Sequence, residues 1–449
     1  AIAHPHQRHR LPAAAAARTR VVGDPTLDRL LASRGRREAY RDRWDTGGRR
    51  LLAVTSTWGR ESLLARRPHI VERLLAELPC DEWQLALIAH PNWYADLGRL
   101  GMTRQLLAEP LRAGLLLPDP YEEWGAALVA ADAVVTDHGS TALYAAALER
   151  PVLGAYDGGG ELAPDSPMAA LLTAVSRLAE AEGYERQLAA AVAGGRNAES
   201  DRGPASAAAQ AAEGAFAARG RALELLREWL YELLDLRPPG GAPRPALLPL
   251  PRAEVAQVGA FRVVTAVSGD TVSLTRTPDQ VSAHDGVPAP LPRTTPGPDA
   301  VPGAHLAADA DAAAPGEVES AGLLFRRGHA AAPQRPGPRT VWQAGAWCAH
   351  ALAAHPGQRA AAVVLDRARA VLRHSAGPAL EIRIGPDAPH PAAPVHWPDP
   401  TAALSAVHAW LAVAQGTRRF PVTLRVELGD AAVRVRVTEA GETALAEEI

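Results

Sequence analysis

The chain has 449 residues, enough for two or three domains with real cores. Its 47 basic and 50 acidic side chains leave a formal charge of −3, which excludes a strong overall pull toward nucleic acid or an anionic membrane. The two cysteines, Cys80 and Cys348, fall in different predicted domains; this excludes a disulfide framework and points to a reducing cytoplasm. No apolar run reaches bilayer-spanning length, and no signal peptide is visible. Every Lys or Arg position is arginine, and with the abundant Ala, Gly and Pro this composition suits a GC-rich bacterial genome.

Residues 1–19 read as a solvated linker. His4, His6 and His9 lack the carboxylate or cysteine that would complete a metal set. The chain opens at Ala1 rather than at methionine, so we expect further sequence upstream. Arg20-Val21-Val22 predicts a short strand, and Asp24 or Thr26 caps a helix after it. Arg50 to Thr55 predicts a strand ending in Ser56-Thr57-Trp58-Gly59. A helix over 63–78 follows, with Ile70, Leu74, Leu75 and Leu78 at helical spacing. Trp83 to Ala89 is a second strand, running into His90-Pro91-Asn92. Residues 114–117 predict a strand and 121–131 a helix. Ala133-Val134-Val135 runs into Thr136-Asp137, turns through His138-Gly139-Ser140-Thr141 and opens an alanine-rich helix. That helix stops at Glu149-Arg150-Pro151, before the strand Val152-Leu153. Strand and helix alternate from about residue 20 to 180, the pattern of an α/β, Rossmann-like, doubly wound parallel sheet.

Residues 166–236 turn helical, ending in an amphipathic stretch marked by Leu223, Leu225, Leu226, Trp229, Leu230 and Leu233. The alanine-rich piece between Gly194 and Gly214 reads as a looser helix or an insertion. The first domain therefore spans 20–236, and Arg237-Pro238-Pro239-Gly240-Gly241 opens a linker to 257. Residues 258–449 predict a small α+β domain to which no chemistry is assigned. It holds a hairpin over 261–275, a flexible tether over 277–318, and helices over 340–354 and 401–414 around a strand at 380–384. It ends in a hairpin where Val422, Leu424, Val426 and Leu428 alternate, Gly429-Asp430 turns, and Val433, Val435 and Val437 alternate back. Arg425, Arg434 and Arg436, with Glu427 between them, read as a solvated face.

Ligands of an open parallel sheet bind beyond the carboxyl ends of its strands. Three loops qualify: Ser56-Thr57-Trp58-Gly59-Arg60, His90-Pro91-Asn92, and Asp137-His138-Gly139-Ser140-Thr141. Free N–H groups, two hydroxyls and the positive end of a helix dipole converge where Gly139, Ser140 and Thr141 begin their helix, a setting for phosphate. Alone, each loop has a plain structural reading. Small residues let a chain turn, His-Pro ends a strand, and Trp58 packs on a sheet edge. The functional reading rests on their co-occurrence at three strand ends, a set that suits a nucleotide diphosphate.

Thr136-Asp137-His138-Gly139-Ser140 through Arg150-Pro151-Val152 resembles the phosphate-binding signature of the GT-B glycosyltransferase superfamily. Its nearest branches are the CDP-glycerol glycerophosphotransferases of teichoic-acid type and the UDP-N-acetylglucosamine 2-epimerases. Val22-Gly23-Asp24-Pro25-Thr26-Leu27-Asp28, Ser56-Thr57-Trp58, His90-Pro91-Asn92 and Tyr156-Asp157 are similar to further family pieces in the same order. The resemblance covers roughly residues 18–180 and implies the second, donor-binding half of a GT-B fold. The first half, with the general base and acceptor pocket, would lie upstream.

By this resemblance Gly139, Ser140 and Thr141 hold the donor diphosphate. His90 contacts phosphate or assists the leaving group, and His138 sits beside the donor. Ser56, Thr57, Trp58 and Asn92 line the pocket, and Asp137 orders the phosphate turn. The substrate is a CDP- or UDP-linked small molecule. No metal or cofactor is called for, no nucleic acid is a partner, and the acceptor sits in the cytoplasm or on the membrane periphery. Two departures stand out: Leu143 and Tyr144 occupy positions where the epimerases carry paired glutamates and the glycerophosphotransferases an aspartate. They disfavour an epimerase-like isomerase and keep open a catalytically degenerate, nucleotide-binding scaffold.

Overall fold

Aliphatic runs of three to seven residues, bounded by turn formers, become strands here, and the periodic stretches between them become helices. The computed structural model describes residues 1–200, 207–252, 257–279, 300–328, 341–387, 398–413 and 419–449. It divides into two units, one of residues 1–71, 84–111 and 115–255, the other of 72–83, 112–114 and 256–449.

Up to residue 252, in chain order, come α1 (Ala13–Ala16), α2 (Pro25–Ala32), α3 (Arg37–Arg43), β1 (Arg50–Ser56), α4 (Leu63–Arg66), α5 (Ile70–Glu77), β2 (Trp83–Ala89) and α6 (Pro91–Gly101). Then follow α7 (Ala108–Arg112), α8 (Trp124–Ala130), β3 (Ala133–Thr136), α9 (Thr141–Ala147), β4 (Val152–Gly154), α10 (Pro167–Ala174), α11 (Tyr184–Ser200), α12 (Ala207–Glu213) and α13 (Ala222–Leu233). The sheet order is β2-β1-β3-β4. β1 pairs parallel with β3 (Val54 opposite Val135) and β3 parallel with β4 (Val135 opposite Leu153). Isolated parallel bridges, Ala86 to Leu116 and Gly154 to Arg177, extend the sheet at both edges. Counted in chain order the sequence across the sheet is 3-2-1-4-5-6, the dinucleotide-binding order, and its switch point lies between β1 and β3.

Local chemistry accounts for the differences from the sequence reading. The strand expected at 114–117 shrinks to one bridge because Pro118 follows and offers no N–H. The one expected at 20–22 likewise reduces to a bridge between Ile2 and Val21, since Gly23, at φ +82°, turns the chain away. Pro68 splits the helix expected over 63–78 into α4 and α5. His90-Pro91-Asn92 is a helix start rather than an open loop, with Pro91 in the first turn of α6 and His90 as its N-cap. Residues 237–252 have no regular structure, yet Leu248 is buried. Its N–H donates to Ser33 Oγ and its carbonyl accepts from the Tyr40 hydroxyl, so this stretch straps α2 and α3. Alanines on α8 and α9 let those helices approach the sheet closely, against Ala53 and Val134.

The second unit carries more β structure than the sequence suggests. β5 (Ala260–Ser268), β6 (Thr271–Pro278), β7 (Val301–Asp309), α14 (Pro315–Ser320), β8 (Leu323–Arg327), α15 (Ala344–Ala354), β9 (Ala360–Val364), β10 (Arg369–His374), β11 (Ala379–Pro386), α16 (Pro400–Val413), β12 (Val422–Leu428), β13 (Ala431–Glu439) and α17 (Glu442–Leu445) form it. Its strands close a barrel in the order β10-β11-β13-β12-β6-β5-β7-β8-β9. The expected tether thus contains β7 and α14; its residues 280–299 lie outside the described set, as do 201–206 of the alanine-rich piece. α16 is buried on every face from Thr401 to Leu411 and packs on β5 through β12, so it runs through the barrel. Around it stand Val263, Leu274, Phe325, Leu372, Ile382 and Leu424. The terminal hairpin has the expected single buried face, with Leu424 opposite Val435 and Val426 opposite Val433.

One end of the barrel interior is charged. Fully buried Arg276 pairs with Asp81 at 2.5 Å and donates to Thr401 Oγ1, while Arg327 forms a two-bond fork with Asp399 at 3.0 and 2.8 Å. Desolvation opposes the charge on Arg276, but the Asp81 and Asp399 carboxylates outweigh it and hold its pKa above the ordinary value.

Candidate functional site

The switch point is built around one carboxylate. Asp137 follows β3 and is wholly buried. Its Oδ2 accepts from the Thr57 N–H, the Thr57 hydroxyl and the Leu63 N–H, each at 2.8 Å, and its Oδ1 accepts from the Gly139 N–H at 3.0 Å. A buried carboxylate without a cation is tolerable only when N–H and O–H groups saturate it, and these four do. The exits of β1 and β3 and the start of α4 are thereby tied together.

The exit of β2 joins them. The His90 N–H donates to the Ser56 carbonyl at 3.1 Å, Trp93 Nε1 donates to the Thr57 carbonyl at 2.8 Å, and the Trp58 and His90 rings stack 6.3 Å apart. Trp58 and His90 are exposed, and with Asn92 half-buried beside them they present a flat aromatic shelf. His90 Nδ1 accepts from the Asn92 N–H, which leaves Nε2 for a ligand. Partial burial pulls the His90 pKa below its ordinary value, against the opposing pull of Asp137.

The structure gives several expected ligand groups other work. The Ser56 hydroxyl is buried and accepts from the Leu64 N–H; the Thr57 hydroxyl is spent on Asp137. The Gly139 N–H is spent there too. A Cβ on Gly139 would meet Thr57 Cγ2 at 2.9 Å, so glycine serves the close approach of the two loops. Ser140 is exposed at the N-cap of α9 and its side chain makes no capping bond. Among the described residues neither the Ser140 nor the Thr141 N–H has an acceptor, so these two amides and hydroxyls are what the turn can offer an anion.

His138 turns toward the loop after β4. Its ring packs on Gly158, its Nε2 lies 3.3 Å from Glu161, and its buried Nδ1 has no hydrogen-bond partner. Glu61, which sequence reasoning passed over as a single acid in a loop, collects Arg66 and the Tyr156 hydroxyl. Both lower its pKa, Arg66 first. Asp157 pairs with Arg177 at 2.8 Å. Beside these residues a shallow cavity of about 400 Å³ is lined by Tyr156, Asp157, Leu162, Leu172, Val175 and Arg177.

The departures at 143 and 144 have a structural account. Leu143 is buried, and Tyr144 donates to Asp24 Oδ2 at 2.9 Å while stacking on Phe216. Burial, then Asp24, raises the Tyr144 pKa far above normal. Asp24 Oδ1 caps α2 through the Thr26 and Leu27 N–H groups, and Asp28 accepts from the Gly220 and Ala222 N–H groups at the start of α13. The Gly23–Asp28 turn is thus a clasp between elements.

Among solved structures the chain is similar to the wall teichoic acid polymerase TagF, at 14% identity and a TM-score of 0.33 over 49% of this chain and 52% of that one. It is similar to the UDP-GlcNAc 2-epimerase from Neisseria meningitidis bound to UDP-GlcNAc, at 16% identity and TM-score 0.28 over 50% and 57%. It is also similar to the C-terminal CMP-Kdo binding domain of WaaA from Acinetobacter baumannii, at 12% identity and TM-score 0.28 over 41% and 98%. These are GT-B glycosyltransferase-type proteins. The chain spans about half the length of the first two. No family model matches it, and no curated protein does. Among the described residues no helix is long and apolar enough to cross a membrane, and no group of three or more His, Cys, Asp or Glu could hold a metal ion.

Proposed function

We propose that the first unit is the donor-binding half of a GT-B-type transferase that moves a sugar or glycerophosphate from a nucleotide diphosphate to a cell-envelope or secondary-metabolism acceptor. The observation that carries this reading is the Asp137 knot at the switch point, which ties the exits of β1 and β3, has the β2 exit bonded to it through His90, and among the described residues leaves the Ser140 and Thr141 amides without acceptors. As the donor bond breaks, negative charge grows on the departing diphosphate. Amide and hydroxyl donors fixed in advance stabilise that charge without reorganising. His90, whose Nδ1 accepts from the Asn92 N–H and whose proton therefore sits on Nε2, donates that N–H to the leaving phosphate, and Trp58 gives the base a surface to lie on.

Calorimetry with CDP and UDP tests the reading. One of them binds the wild-type chain, and Ser140→Ala weakens it roughly ten- to a hundredfold, the worth of one hydrogen bond to a charged group. Heat from neither nucleotide at millimolar concentration refutes the proposal. Because Tyr144 is committed to Asp24, a nucleotide-binding scaffold is the second reading; binding without donor turnover in a chain extended upstream favours it.

A further inference from the structure

We infer that three histidines in the barrel form an acid-release latch: protonation of the His305–His408–His374 cluster frees α16 and opens the second unit. His408 sits on α16 and is buried. The His305 ring, on β7, lies 4.7 Å from it edge-on, and the His374 ring, on β10, lies 6.4 Å away on another side. His305 Nε2 and His408 Nδ1 are both buried without a hydrogen-bond partner. These imidazoles are seated as neutral apolar rings, and a proton on either nitrogen would find no acceptor.

Among the described residues, the charged groups nearby disfavour an imidazolium or are engaged elsewhere. β6 contributes Arg276, and Arg359 precedes β9; both are cationic and both disfavour a further positive charge. β8 contributes Arg327 and β7 Asp309. That carboxylate lies toward Arg327, and Asp399, just before α16, is held by the Arg327 fork. The inner faces of β5, β9, β11 and β12 bring mainly apolar side chains, and the buried Thr265 hydroxyl of β5 donates to the Gly303 carbonyl. Burial first, then neighbouring rings and arginines, hold His305 down to about 3 and His408 down to about 4. Once α16 leaves the barrel the rings return toward about 6.5, so each proton taken up favours opening about tenfold per pH unit. A helix buried on all faces has no solvated side to fall back on, so its release opens the barrel as a whole.

Hydrogen exchange of the full chain between pH 7 and 4, corrected for intrinsic exchange, tests this. Peptides covering α16 are expected to lose protection at least tenfold per pH unit below about 6, while those covering β3 and α9 do not follow. The double variant His305→Phe, His408→Leu flattens the α16 profile to about twofold per unit. Should the variant fail to fold, the wild-type imidazole resonances serve instead: two histidines stay neutral until the opening transition and then titrate with it. Protection of α16 independent of pH, an unchanged slope in the variant, or two rings titrating near 6.5 in the closed barrel would each overturn the latch. So would zinc ion raising α16 protection at pH 7, since the rings would then be metal ligands.

Discussion

Asp137 and Thr57 are joined twice, backbone N–H and side-chain hydroxyl both donating to the same carboxylate oxygen at 2.8 Å. That double bond locks the end of β1 to the end of β3 where the strand order reverses. Asp137→Asn keeps the shape but points an NH2 at one set of N–H donors. We expect a loss of about 2–3 kcal/mol in urea denaturation, with nucleotide binding lost in parallel. A variant as stable as wild type would show that the knot does not organise the crevice.

Gly139→Ala probes the same junction sterically. Its Cβ would meet Thr57 Cγ2 at 2.9 Å, and neither atom sits on a flexible chain end. The expected cost is about 1–3 kcal/mol. Thr57→Ser removes the opposing methyl and keeps the hydroxyl on Asp137, so the double variant recovers most of the loss. Simple additivity of the two substitutions argues against the contact.

Breaking the buried charge cluster is costly in a different way. Asp81→Ala leaves Arg276, 1% exposed, with its closest carboxylate removed. A buried cation stripped of its partner costs about 3–5 kcal/mol, much more than an exposed pair. Arg276→Met with Asp81→Leu removes both charges and should be far milder. Thermal unfolding of the two variants decides the point.

Acid acts on the barrel through its histidines first. The folded-state values of His305 and His408 lie below their unfolded ones, so the unfolded chain binds more protons and stability falls as pH falls. The stabilisation is complete above about pH 6.5 and declines by about 1.4 kcal/mol per unit for each ring, down to the folded values near 3 and 4. Burial works to raise the Asp399 value, but Arg327 and then Arg276 together outweigh it and hold the value low, which adds a further loss below about pH 4. Urea midpoints at constant ionic strength from pH 8 to 4 trace the first window.

Cys348 should be inert. It is fully buried, and burial, only partly countered by Arg373, pushes its thiol up to about 12. At pH 8 a maleimide is expected to leave it unmodified until the barrel unfolds. Rapid labelling in the native chain, read by mass spectrometry, would contradict that.

The chain by itself determined what is local. Alternating aliphatics set the strands, Pro68 and Pro118 set breaks, and His90-Pro91 and Asp24-Pro25 set helix starts, because each acts through its own backbone and nearest neighbours. The three strand exits were legible as a set, although a helix over 63–78 overlooks Pro68 and His90-Pro91 starts a helix where a loop is expected. Long-range pairing decided the rest. Whether Ser56 and Thr57 face a ligand or a scaffold depended on where Asp137 arrived from some 80 residues away. Tyr144 reads as a lost carboxylate until Asp24 and Phe216 are brought beside it. The apolar run of α16 looks like any buried helix, and its place inside a barrel follows only once β9 meets β10 and the nine strands close. Hydrogen-bond partners and ring closure are properties of pairs distant in sequence, and no periodicity within one segment encodes them.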